Sequence, residues 1–293
     1  MKDLLNHGED SWGIRDLQNC ILNIAEYLDS FCESKEIDYC LMGGSALGAV
    51  RHKGFIPWDD DLDIFMTPEN YKKFREQFYE KGDKQTYYLQ EWGSKDGKPS
   101  FAKLRLNKSH YVEPNLDSLK IHKGVFVDIF ILHVCPDNRL SHLWQYFWSR
   151  YLVVKSLANR NYSRRGLIAN LILKPLKLLP KRAFVKYALK QIYSNSATNS
   201  KYLCHYLGRA GYKKGLYNRV QFSSTIKVPF ETIALRVPSG VEDYLHSRWG
   251  DYMKLPSEED IRYYQHTSHW DINTYFDGYS QDGYYPDEKN LIV

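Results

Sequence analysis

Acidic residues are absent from a long stretch of this chain of 293 residues. Between Asp137 and Glu231 there is no aspartate or glutamate, and the 93 positions from 138 to 230 carry 18 lysines and arginines. The overall charge of +5 therefore conceals a middle segment of +18 and a remainder of −13. Cysteine is sparse as well. Cys20, Cys32, Cys40, Cys135 and Cys204 are odd in number, scattered and without paired spacing, which excludes a disulfide scaffold and a zinc ribbon. Set mostly in apolar patterns, they read as reduced core thiols of a cytoplasmic protein. No uninterrupted apolar run is long enough to span a bilayer. The opening residues are too acidic and polar for a secretory signal. What remains, 43% hydrophobic and 15% aromatic, is enough to fill a packed core.

The most informative run is Met42 to Phe65, MGGSALGAVRHKGFIPWDDDLDIF. Asp61 and Asp63 flank Leu62 and precede Ile64 and Phe65. In an extended strand, side chains two apart share a side, so the two carboxylates are expected to converge. Carboxylates held that close repel unless a cation lies between them. A hard divalent ion such as Mg²⁺ takes oxygen ligands and shares its shell with substrate phosphates. Ahead of them, Tyr39 to Met42 reads as a buried strand and Gly43-Gly44 as a tight turn. Ser45 is then placed to cap a helix from Ala46, whose free N–H groups suit a phosphate. Arg51 and Lys53, at the far end of that helix, could meet a second phosphate or satisfy the last carbonyls. A calcium loop is excluded. Asp59, Asp61 and Asp63 fit its first three ligand positions, but Ile64 and Asn70 stand where glycine and glutamate are required.

Gly-Gly-Ser followed by Asp-hydrophobic-Asp resembles the nucleotidyltransferase-fold signature. The fuller string GAVRHKGFIPWDDDLDI is similar to the LicD family of phosphotransferases, related to the fukutin-type enzymes. A second stretch of resemblance covers Pro238-Ser239-Gly240, Tyr244-Leu245 and Trp249 to Pro256, so the likeness frames the chain from about Ile14 to Pro256. The resemblance implies a cytidine-diphospho-linked donor, CDP-choline foremost, and transfer of its phospho-alcohol group to a sugar hydroxyl with release of CMP. It also implies a third carboxylate on a neighbouring strand. Asp128, within the apolar run Gly124 to Ile131, is the candidate, since a carboxylate there is costly to bury unpaired. The expected catalytic and Mg²⁺ (or Mn²⁺) ligands are then Asp61, Asp63 and Asp128, with Asp59 as a further candidate. Gly43, Gly44, Ser45, Arg51, Lys53, Lys103 and Arg105 are the expected donor-phosphate contacts. Two other readings stay open: transfer of a nucleoside monophosphate with release of pyrophosphate, and a non-catalytic glycan-binding or scaffold protein.

Along the chain, Ile14, Leu17, Ile21, Ile24, Leu28 and Phe31 mark an amphipathic helix. Thr67-Pro68 starts another, with Tyr71, Phe74 and Phe78 on one face. Thr86 to Glu91 and Phe101 to Leu106 read as strands, the second placing Lys103 and Arg105 on one face. Strands alternating with helices up to Leu132 indicate an α/β (α+β) core with a mixed, nucleotidyltransferase-like sheet. Residues 1–137 are expected to form that core, 138–230 a basic and largely helical insertion, and 231–293 a completing strand, helix and tail. In the insertion, Leu140, Leu143, Phe147, Tyr151 and Val154 form a helical stripe with Trp144 and Trp148 beside it. Phe230 to Val237 reads as a strand, Ser239 with Glu242 as a capping box, and Gly250 as a helix stop. No nucleic-acid motif accompanies the basic residues. The apolar and basic piece Leu167 to Arg182 suits docking on an anionic membrane, where a lipid-linked glycan acceptor would be met. Trp58 and Trp92 are candidates for an aromatic cage around choline.

Overall fold

A computed structural model describes residues 10, 12–91, 101–112, 121–158, 181–194, 199–208, 211–257, 261 and 269–271. The first helix, α1 (Arg15–Ser34), buries the predicted stripe of Leu17, Ile21, Ile24, Leu28 and Phe31. After it come β1 (Cys40–Leu41), α2 (Gly43–His52), β2 (Asp63–Met66) and α3 (Pro68–Lys81). Thr67 caps α3, its Oγ1 accepting from the Asn70 N–H, and Pro68 takes the first turn, where its missing N–H costs nothing. Next are β3 (Tyr87–Gln90), β4 (Ala102–Leu106), β5 (His110–Val112), β6 (Phe126–Ile131) and β7 (His133–Cys135).

Five of these strands form one mixed sheet in the order β1-β2-β6-β4-β3. Only the β2–β6 pairing is parallel; β1–β2, β6–β4 and β4–β3 run antiparallel. The expected α/β class with a mixed sheet is therefore what the chain adopts. The central strand β6 is apolar on both sides of Asp128, as a strand covered on both faces must be. Phe31 of α1 meets Phe74 and Phe78 of α3 edge-on, joining both helices in the main core.

The 138–230 segment is helical in α4 (Arg139–Ala158) and α5 (Lys181–Tyr193). It also supplies β8 (Tyr202–Cys204) and β9 (Leu216–Asn218), which extend β7 into a three-stranded sheet. After a 3₁₀ turn at Arg219–Phe222, β10 (Thr225–Phe230) pairs with β11 (Ile233–Pro238) as a hairpin. Phe230 is the last residue of β10, at the turn of this hairpin. Helix α6 (Val241–Trp249) and β12 (His269–Asp271), paired with β5, complete the described elements. Gly250 ends α6 with φ of 70°, as expected of a glycine stop. The capping box does not form: Gly240 is the N-cap, while the Ser239 N–H donates to Ser224 O and tethers the hairpin. All five cysteines are buried and free.

Candidate active site

The site is assembled where β2, β6 and the start of α2 meet. Parallel register sets Asp63 directly beside Asp128, and antiparallel register sets Lys103 of β4 on the other side of Asp128. Lys103 Nζ lies 2.8 Å from Asp128 Oδ1, with both side chains almost wholly buried. The ammonium also sits 3.1 Å from the centroid of the Phe126 ring. A cation so placed gains from the ring face as well as from the carboxylate.

Strand β2 begins at Asp63, so Asp61 lies in the run before it rather than two places along the strand. The convergence of carboxylates therefore comes from the loop. Asp59 and Asp61 share a side-chain hydrogen bond. Burial, then Asp61 and Asp60, then that hydrogen bond push the Asp59 carboxyl well above the usual carboxylate range. Asp63 is pushed well up too, by burial first and then by Asp61, Asp128 and Asp59, while Lys103 draws it down. Lys103 offsets part of this negative potential. The Asp59–Asp60–Asp61 loop is held from behind by Gln18, whose Nε2 donates to Ile56 O at 3.2 Å and Asp59 O at 3.0 Å.

The glycines make room for these carboxylates. A Cβ on Gly44 would stand 2.7 Å from Asp59 Oδ2, and one on Gly43 would be 3.7 Å from Asp63 Oδ2. Gly43 has φ of +55°, a conformation costly for any residue with a Cβ. Helix α2 starts at Gly43, three residues earlier than expected, with Met42 extended as its N-cap. Ser45 is consequently not a cap. It is buried in the first turn, and its Oγ accepts from the Asp63 N–H at 2.8 Å, tying helix to strand. Tyr244 of α6 accepts the Gly43 N–H at 2.9 Å. The second stretch of resemblance thus supports the first from below, a role for Tyr244 that its spacing in sequence did not reveal.

Other expected phosphate contacts lie elsewhere. Arg105 is fully buried and donates to Gln90 Oε1 and Gly124 O, so it braces the sheet. Arg51 donates to the carbonyls of Tyr252 and Lys254, clasping the chain after α6. Lys53 is exposed, with φ of 57° at the end of α2, and its carbonyl accepts from the Glu231 N–H. Glu231 was not singled out from the sequence. Its carboxylate takes both guanidinium nitrogens of Arg15 and the Phe55 N–H, pinning the loop that leads to the aspartates. Trp58 is buried against Trp12 and His52 and builds core rather than a cage. Trp92 lies outside the described residues.

Two observations test whether these residues fit a divalent cation. Asp63 Oδ1 is buried and without a hydrogen-bond partner among the described residues, an unusual state for a carboxylate oxygen. The donors are hard oxygens, the type that Mg²⁺ or Mn²⁺ takes. Among the described residues no group of three or more His, Cys, Asp or Glu side chains is placed to hold a metal ion by itself. The residues fit an ion that completes its shell with substrate oxygens and water.

The glycine start of α2, the side-by-side Asp63 and Asp128 and the mixed sheet lie within the stretch of the chain that matches a nucleotidyltransferase domain. Residues 36–150 match the family described as "LicD/FKTN/FKRP, nucleotidyltransferase domain". The chain is 29% identical over 265 residues to the lipopolysaccharide cholinephosphotransferase LicD of Haemophilus influenzae, covering 84% of this chain and 94% of the relative. A shorter likeness, 38% identical over 56 residues, links it to the human ribitol 5-phosphate transferase FKRP, covering 19% of this chain and 11% of that protein.

Proposed function

We propose that the protein transfers a phospho-alcohol group, phosphocholine first among the candidates, from a CDP-linked donor to a hydroxyl of a cell-surface glycan such as lipopolysaccharide or its lipid-linked precursor. The observation that carries this reading is the side-by-side register of Asp63 and Asp128 beneath the glycine start of α2. The near full-length likeness to a cholinephosphotransferase supports the choice of group and acceptor.

Asp61 and Asp63, with Asp128 and with Asp59 as a further ligand, would hold Mg²⁺ or Mn²⁺. The ion, when bound, offsets charge on the phosphate oxygens and aligns attack with departure. The Gly43 N–H is taken by Tyr244, and the next N–H groups of α2, those of Gly44 and Ser45, receive donor phosphate oxygens, aided by the positive end of the helix dipole. Ser45 keeps that helix start against β2, and Lys103 orients the Asp128 carboxylate. Asp128 accepts the proton of the acceptor hydroxyl. The hydroxyl oxygen bonds to the phosphorus bearing the alcohol, the bond from that phosphorus to the bridging oxygen breaks, and CMP departs with the electron pair.

The reading includes a cytoplasmic enzyme bound peripherally to the membrane, in keeping with the +18 segment. No helix among the described residues is long and apolar enough to cross a bilayer. Positions 167–180 of the expected docking piece lie outside the described residues. The test is incubation of the pure protein with a panel of CDP-alcohols, Mg²⁺ and a glycan acceptor. CMP formed with phospho-alcohol on the glycan supports the reading. Pyrophosphate released from a nucleoside triphosphate, with no CMP from any CDP-alcohol, overturns it.

A further inference from the structure

Helix α4 is apolar on two sides, and among the described residues only one of them is packed. Trp148 and Leu152 are buried against Val185, Leu189 and Ile192 of α5. Leu140, Leu143, Trp144 and Phe147 follow the three- and four-residue spacing of a helix face, yet all are exposed, Leu140 to 77% and Phe147 to 56%. Phe184 and Tyr187 of α5 are exposed as well. Trp144 stacks on Phe147 at 5.9 Å and donates to Gln191 of α5 at 2.9 Å, while Tyr187 meets Trp148 at 5.0 Å. Trp144, Phe147 and Tyr187 thus meet around the α4–α5 pairing, with Leu140 and Leu143 a turn earlier on α4 and Phe184 a turn earlier on α5. A surface of contiguous large apolar side chains marks a contact that the described residues do not satisfy.

Neither α4 nor α5 contains an aspartate or glutamate. Arg139, beside Leu140, and Lys190, three positions beyond Tyr187, are exposed at the patch. We infer that the α4–α5 face is a docking surface for an anionic lipid bilayer, seated in the headgroup plane. Exposed tryptophan, phenylalanine and leucine with flanking lysine and arginine is the composition that prefers that depth. A second copy of the chain is the poorer partner, because it would bring two wholly basic helix pairs together, whereas anionic lipid complements them. The surface stands on the patch and its charge; that the acceptor glycan is met there rests on the transferase reading above.

Co-sedimentation of the full chain with vesicles of phosphatidylglycerol and phosphatidylcholine tests the surface. Wild type is expected to bind at low salt and to weaken as salt rises. The exposed triple variant Leu140→Ser/Leu143→Ser/Phe147→Ser should bind at least tenfold more weakly with an unchanged melting temperature. Because folding of that variant is itself at issue, tryptophan fluorescence supplies a second measure. A blue shift on adding vesicles to wild type, absent in Trp144→Phe, places the face in the bilayer. Turnover with a soluble acceptor is read in parallel, so loss of docking and failure of the transferase reading are told apart. Equal vesicle binding by wild type and triple variant, no binding at low salt, or a dimer that the triple variant dissociates would each overturn the proposal.

Discussion

Lys103 and Asp128 face each other across antiparallel β4 and β6, and the ion pair they make at 2.8 Å is almost wholly buried. Removing one partner of such a pair leaves an uncompensated buried charge, at a cost of about 3–5 kcal/mol. Lys103→Met should therefore unfold at markedly lower denaturant than wild type when divalent ions are chelated. Adding Asp128→Asn to it should recover part of the loss, since the orphaned charge is then gone. Urea titrations of the two single variants and the double variant check this. A Lys103→Met midpoint equal to that of wild type would show the pair to be energetically idle.

Burial and three neighbouring carboxylates raise the pKa of Asp63. Asp63→Asn removes a charge that the fold does not favour, so its melting temperature in chelator should equal or exceed that of wild type. Turnover should nevertheless fall by about a thousandfold or more, the loss of some 4 kcal/mol of transition-state stabilisation. Asp61→Asn should behave alike. Mg²⁺ should raise the melting temperature of wild type and leave that of Asp63→Asn unmoved, which calorimetry reads without any substrate.

Gly44→Ala tests the space that the helix start leaves for Asp59. Alanine is favoured over glycine in a helix by up to about 1 kcal/mol, so stability should change little. Its Cβ, 2.7 Å from Asp59 Oδ2, forces that carboxylate aside. Donor affinity measured by calorimetry should drop tenfold or more. A variant that binds donor normally but melts far lower would make the glycines a purely structural turn.

His133 and His205 are buried in the β7–β8 region, and both titrate low. Burial, then His205, pulls His133 down to about 3, and burial pulls His205 down to about 4. The unfolded rings protonate near 6.5 while the folded ones stay neutral. Their contribution is therefore complete above about 6.5 and declines as pH falls, by about 1.4 kcal/mol per pH unit for each ring, until the folded values are reached. His205→Phe, beside Phe65 and Phe130, should show a shallower loss of stability than wild type between pH 6.5 and 4.5. Denaturant midpoints across that range, compared as a difference, cancel the carboxylates common to both. Parallel slopes would mean that the ring is hydrated in the folded state.

Much of the fold is legible because its elements carry their own periodicity. The stripe of α1, the Thr67-Pro68 start of α3, the strand character of β3, β4 and β6 and the Gly250 stop are local signals, and each element forms within a residue or two of its expected bounds. The stripe of α4 is legible as a helix, yet its spacing alone does not reveal that Leu140 and Phe147 face outward. A helix reports the period of its apolar residues, not which side finds a neighbour.

The site divides in the same way. Glycines followed by a dense aspartate run supply the residue types that the proposed phosphate and metal chemistry needs, an open backbone and hard oxygen donors. Which of those residues meet was decided only by strand order and register. Asp63 reaches Asp128 because β2 lies parallel to β6, and Lys103 rather than Arg105 reaches it because β4 pairs one register and no other. Ser45 turned from an expected cap into the tie to the Asp63 N–H once α2 began at Gly43. Tyr244 and Glu231 acquired their roles from contacts across the length of the chain. Spacing along one element is written in the sequence, whereas a partner on another element is chosen by how the sheet closes, a cooperative outcome of the whole core.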